Sequence, residues 1–209
     1  MKKSLIIGLV IAFSLVVTAS AQVVVSNSWT VNATIPEGSP VGISDYHTMT
    51  GLGTNTITDV IVELNISGGF NGGLVGYLTF QDTNGDAPVT ETLLNQIGTS
   101  PSNPLGSSGA GFNVILSDSG TVNGSIHNAT GIPTGIWQPD SASTFGSTFG
   151  GIAANGGTWT LFLADLAAGG GTSTLNSWDL TVVATPEPST IALMGLGVAG
   201  IFARLRRKK

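Results

Sequence analysis

Apolar residues in this chain recur at every second position, and glycine or asparagine turns interrupt the recurrence at short intervals. In Ile57–Ile66, Val60, Val62, Leu64 and Ile66 point one way while Asp59, Glu63 and Asn65 point the other. Leu74, Leu78 and Phe80 share a face around Gly76, and Trp178, Leu180 and Val182 share one opposite Asp179 and Thr181. Trp159–Asp165 is apolar on both faces, as a central strand is. No window sustains the periodicity of an amphipathic helix. A period of two broken by Asn-Gly, Asp-Ser-Gly and Gly-Gly signals predicts an all-β chain, and its natural architecture is an antiparallel β-sandwich.

Charge is segregated along the chain. Lys2 and Lys3 open it, Arg204, Arg206, Arg207, Lys208 and Lys209 close it, and no Lys or Arg lies between Gln22 and Ala203. All twelve Asp and Glu fall in that interval. A body without cations cannot neutralise phosphates, which excludes nucleic-acid binding, a P-loop and an arginine clamp.

The basic ends flank two apolar segments. Met1-Lys2-Lys3, the apolar run Leu5–Val17 and the small-x-small sequence Ala19-Ser20-Ala21 make a signal peptide, with signal peptidase cutting before Gln22. At the other end, Pro186-Glu187-Pro188 precedes an apolar run from Ile191 to Ala203 and then the basic cluster Arg204, Arg206, Arg207, Lys208 and Lys209. A helix over Ser189–Leu205 spans about 25 Å, marginal for a bilayer core of roughly 30 Å, and the basic cluster holds its end in the cytoplasm. Gly195, Gly197 and Gly200 match a dinucleotide-binding pattern in spacing alone, since no strand precedes them; the small residues Gly195, Ala199 and Ala203 suit close helix packing instead.

Pro-Glu-Pro, a short apolar helix and a basic cluster in this order resemble the PEP-CTERM sorting signal. The resemblance implies processing by an exosortase-type enzyme. It also implies transient anchoring in the inner membrane of a Gram-negative-type bacterium that makes exopolysaccharide, and delivery to the outer surface or beyond. An ordinary single-span anchor is the alternative. The division is then 1–21 signal peptide, 22–184 folded body and 185–209 sorting tail with a transmembrane helix.

Within the body, Asn155-Gly-Gly-Thr-Trp159-Thr-Leu161-Phe-Leu163-Ala-Asp165, then Gly171-Thr-Ser-Thr-Leu175-Asn-Ser-Trp178-Asp-Leu180, resembles the end of a proprotein-convertase P domain (homo B). Thr34-Ile35-Pro36-Glu37-Gly38 resembles that family's opening motif, Ile57–Ile66 its first long strand, and Gly135-Ile-Trp137-Gln-Pro139 with Phe149-Gly150-Gly151 a segment further on. The resemblance covers about Thr30 to Val183. It implies a jelly-roll β-sandwich and association with subtilisin-like serine proteases, in which the P domain stabilises the catalytic domain without performing chemistry. Two positions depart from the pattern: Ser67 stands where the family carries His, and Gly73-Leu74 where it carries Asp-Leu.

Catalysis finds little material. The two histidines, His47 and His127, lie in no triad context, and no G-x-S-x-G elbow is present. They read as a solvated His47 beside Tyr46 and a loop His127. Two histidines and no cysteine argue against zinc. The acids of the body show no spacing that singles out a glycosidase pair. Trp159 and Trp178, at alternating strand positions, read as core. Trp29 and Trp137 read as lying near strand ends or turns, where a ring stacks on a sugar or forms a packed lid.

Carboxylates without counter-charges, and no cysteine, favour calcium as a ligand. The local candidate is Asp82-Thr-Asn84-Gly-Asp86, with Asp82, Asn84 and Asp86 at every second position; the alternative is a plain Asn-Gly hairpin turn. Asp118 and Asp165 fall at aspartates that resemble those of the P-domain pattern and are further candidates. Two function classes stay open: a structural or adhesive surface module in an exopolysaccharide-associated envelope, and a module acting with a separate subtilisin-like protease.

Overall fold

A computed structural model describes residues 22–186. The signal-peptide reading, with Ala19 and Ala21, and the sorting-tail reading from Glu187 and Pro188 through Arg204–Lys209 lie outside the described residues. Nine strands follow one another: β1 (Val23–Ile35), β2 (Ser39–Thr48), β3 (Thr56–Ser67), β4 (Leu74–Gln81), β5 (Val89–Asn95), β6 (Gly111–Leu116), β7 (Thr134–Trp137), β8 (Thr158–Asp165) and β9 (Ser173–Thr185). One helix of five residues, α1 (Phe145–Phe149), lies between β7 and β8. Among the described residues no helix is long and apolar enough to cross a membrane.

The strands form two facing sheets ordered β1-β9-β3-β6-β7 and β2-β8-β4-β5. Successive strands cross between the sheets, with β4 and β5 as an in-sheet hairpin, and this alternation over eight strands is the jelly roll. One pair departs from the expected antiparallel pattern: β7 runs parallel to β6, with Asn113–Leu116 against Thr134–Trp137, as an added edge strand.

The period-two facing read from the sequence holds in the core. Val60, Val62 and Leu64 of β3, Leu74 and Leu78 of β4, Trp178, Leu180 and Val182 of β9, and Trp159, Leu161 and Leu163 of β8 are all buried. Gly76 is on the same inner side of β4, where a Cβ would meet the Leu163 Cδ2 methyl at 2.8 Å and push that side chain aside. Phe149 packs edge-on to Trp159, with ring centres 5.1 Å apart, and α1 thereby closes one margin of the core.

Candidate functional site

Trp29 lies mid-strand, which corrects its placement near a strand end. It sits in β1 opposite Trp178 of β9, and their ring centres are 4.6 Å apart. His47 is not simply solvated: its ring stacks on Trp29 at 4.1 Å with planes 2° apart. Asp45 Oδ2 joins the group, within hydrogen-bond distance of His47 Nε2 at 2.9 Å and accepting the Trp178 indole N–H at 2.7 Å. The cluster bridges the edge strands of both sheets. Because His47 covers one Trp29 face, that face is not open for sugar stacking. Trp137 ends β7 half-buried, and its indole N–H donates to the Thr134 carbonyl at 2.9 Å.

His127 occupies a short 3-10 turn, Ile126–Asn128, between β6 and β7. Its Nδ1 contacts Asp140 Oδ2 at 2.8 Å and its Nε2 contacts the Thr99 carbonyl at 3.0 Å. Both neighbours are acceptors, so the ring satisfies both when doubly protonated. Desolvation opposes that charge, but the Asp140 hydrogen bond and charge, with the Thr99 carbonyl, outweigh it and hold the imidazole above its usual range. With both nitrogens engaged, the ring is not positioned to activate a serine.

Glu91 is buried on β5, and its carboxylate accepts from Ser143 Oγ at 2.9 and 3.0 Å and from Thr148 Oγ1. Asp118 accepts the Phe145 N–H on one oxygen and the Gly146 N–H on the other, each at 2.8 Å, at the start of α1. Asp82 orders its own hairpin turn: Oδ1 accepts from the Asn84 and Asp86 amides at 3.1 and 3.3 Å, and Oδ2 from Asn84 Nδ2 at 3.1 Å. Asp165 lies at the opposite end of β8 from this hairpin, since Gln81 pairs with Thr158 and Leu74 with Asp165. The calcium candidates are therefore spread over three places. Among the described residues no three His, Cys, Asp or Glu side chains converge.

The outer face of the five-stranded sheet carries what residue-by-residue reading missed. Register places Glu63 of β3 directly opposite Asp179 of β9, and Ser28 of β1 on the other side of Asp179. Ser28 Oγ donates to Asp179 Oδ1, and the Ser26 and Thr181 hydroxyls bond to each other. These groups, with Asn27, Ile61 and Ile115, line a groove of about 320 Å³. Alternation had turned Glu63 and Asp179 away from the core, but their adjacency comes from pairing between distant strands.

The description "PEP-CTERM protein-sorting motif" matches residues 184–208. The motif marks an exported protein with a C-terminal sorting tail. No P-domain family model matches, and no curated protein matches the chain. A chain in the crystal structure of the Aeromonas sobria serine protease in complex with the chaperone ORF2 is similar in structure at TM-score 0.49 and 17% identity, over 79% of this chain and 27% of that one. The serine protease of Aeromonas sobria gives TM-score 0.47 and 18% identity over 78% of this chain and 27% of that one. The present chain thus spans 27% of the length of the chains it matches.

Proposed function

We propose that this protein is a non-catalytic, P-domain-like module of the cell envelope that binds a neutral, hydroxyl-rich polymer such as exopolysaccharide. The observation that supports this reading is the groove on the outer sheet, where hydroxyls and carboxylates sit beside Ile61 and Ile115. Its hydroxyls and carboxylates offer both acceptors and donors to sugar hydroxyls, on a rigid sheet rather than on loops. A body of eleven carboxylates and no Lys or Arg disfavours acidic polymers, so the ligand is neutral. The tail is removed after sorting by an exosortase-type enzyme. The test is co-sedimentation of the exported protein with purified neutral exopolysaccharide. Glu63→Gln with Asp179→Asn should reduce the bound fraction at least fivefold, and unchanged binding would remove the groove from the reading.

A second reading rests on the two motif strands. G-x-W-x-L at β8 and S-W-x-L in β9, the motifs that resemble the end of a P domain, bury Trp159 and Trp178. On that reading the module stabilises a separate subtilisin-like protease. A pull-down with the exported protein as bait distinguishes the two: recovery of such a protease favours the second, and its absence alongside polymer binding favours the first.

A further inference from the structure

Among the described residues two buried side-chain atoms have no hydrogen-bond partner, Asn71 Oδ1 and Asp165 Oδ2. Both are oxygens, and both sit at the same end of the sandwich. Asp165 closes β8 on the face it shares with Trp159, Leu161 and Leu163, so its carboxyl points into the end of the core and is 1% exposed. Asn71, 0% exposed, lies in the short turn before β4 and donates its amide hydrogens to the Gly111 and Gly131 carbonyls at 3.1 and 3.0 Å. That turn presses on Asp165: a Cβ on Gly73 would overlap Asp165 Oδ1, and the Leu166 N–H donates to the Gly73 carbonyl at 2.8 Å.

What this end lacks is a positive group. Asp165 Oδ1 accepts one backbone N–H, from Ala167 at 3.1 Å, while Oδ2 has nothing. Glu37, in the turn between β1 and β2, adds a second negative charge close enough to be felt by Asp165. No Lys or Arg occurs anywhere in the body to offset the pair. A buried carboxylate left in this state costs several kcal/mol, so something must satisfy it. Since both open atoms are acceptors, the missing partner is a donor or a cation.

We infer that Asp165 Oδ2 and Asn71 Oδ1 are the protein's side-chain ligands for a hard divalent cation, calcium, with the Glu37 carboxylate adding negative charge from the neighbouring turn rather than ligating it. An all-oxygen donor set excludes soft metals. Calcium tolerates irregular coordination completed by backbone carbonyls and water, whereas magnesium demands a near-ideal octahedron. Two carboxylates near the ion rather than four place the affinity among the extracellular modules, with Kd on the order of 10⁻⁴–10⁻³ M. Two other occupants compete: a proton on Asp165, whose carboxyl burial and then Glu37 push above the ordinary range, and a neutral water. This inference stands apart from polymer binding, because the groove is on the outer sheet face and this site is inside one end of the sandwich.

The full chain in detergent is melted at pH 7.5 and constant ionic strength with calcium, with magnesium and with chelator. At a hundredfold excess over Kd calcium should raise the folding constant about a hundredfold, a shift of roughly 5–10 °C for a chain of this size. Magnesium should give less than a third of that. The shift should vanish in Asp165→Asn and survive Asp82→Ala with Asp86→Ala. Glu37 is exposed and its Oε1 accepts only the Gly171 N–H, so Glu37→Gln keeps that contact and the fold; it should weaken calcium binding at least threefold by titration calorimetry. Equal melting in all three media means that a proton or water fills the site and overturns the inference. So does a calcium shift that survives Asp165→Asn, or calcium affinity unchanged in Glu37→Gln should Asp165→Asn fail to fold.

Discussion

Asp45 offers the sharpest test of how the two sheets are joined at their open edge. One oxygen, Oδ2, accepts the indole N–H of fully buried Trp178 and also meets His47 Nε2. Replacing Asp45 with Ala strands the indole N–H, and leaving a buried donor unsatisfied costs about 1–3 kcal/mol. The Asp45 side chain is 26% exposed, so water reaches the site and the lower half of that range applies. Trp178→Phe removes the donor but also packing, so the single variants do not isolate the bond. A double-mutant cycle of Asp45→Ala with Trp178→Phe does, and the coupling should be about 1–2 kcal/mol. In thermal melts that is roughly 2–8 °C. The assay is urea unfolding followed by tryptophan fluorescence, with His47→Ala as a comparison that loses the stack on Trp29, about 0.5–1.5 kcal/mol, and the contact with Asp45 but keeps the indole bond. Coupling below about 0.3 kcal/mol would refute the bridging role of Asp45.

Other expectations are checked as directly. Asp118→Ala should cost about 1–2 kcal/mol in urea unfolding, because both amides at the start of α1 lose their acceptor; a cost under about 0.5 kcal/mol would show that water replaces it. Trp159→Ala should cost about 3–5 kcal/mol, and a value near 1 kcal/mol would contradict its place beside Phe80 and Phe149. In chelator, stability should rise as pH falls from 8 to 5.5. His127, raised when folded, contributes fully below about 6.5 and loses its contribution as pH climbs through the folded value. Asp59 and Asp165, both raised chiefly by desolvation, bind protons more readily folded than unfolded and act in the same direction. A urea midpoint that increases steadily with pH would contradict all three, and His127→Gln should flatten the profile above about pH 6. Protein recovered from the surface of a host with an exosortase should lack the Arg204–Lys209 tail by intact mass, and its retention would contradict processing near Pro186–Pro188.

β3, β4 and β9 were legible because one buried face imposes an alternation over several of their residues, whereas β8, read as apolar on both faces, buries Trp159, Leu161 and Leu163 and leaves Phe162 half-buried. Trp29 was misjudged for the opposite reason. Its neighbours Asn27, Ser28, Thr30 and Asn32 carry turn chemistry, yet β1 is held in the sheet along its length by β9. β7 has four residues and α1 five, too short for any period to declare itself. The groups with chemical interest were less readable still. Glu63 faces Asp179 only through register between strands far apart in sequence, and Trp178 reaches Asp45 only because β9 and β2 belong to the two facing sheets. The open oxygens of Asn71 and Asp165 depend on which loops close the end of the barrel-like core, and no local pattern encodes that.

The placement of the sorting motif gives the sandwich a direction. The match begins at residue 184, inside β9. Thr185 pairs with Thr56, Thr56 bridges to Ala153, and Thr158 pairs with both Thr48 and Gln81. The end of the sandwich where the motif begins therefore gathers the start of β1, the β2–β3 loop and the Asp82–Asp86 hairpin. Asp165, Asn71 and the Glu37 turn lie at the other end. A cation there would act on an end of the module rich in glycine turns and topped by the exposed apolar side chains of Phe70, Leu105 and Leu166. That end has the least regular structure to hold it, and a bound cation would stiffen it. The outer-sheet groove runs along the side of the sandwich, across β1, β9 and β3, away from the loops that close its two ends.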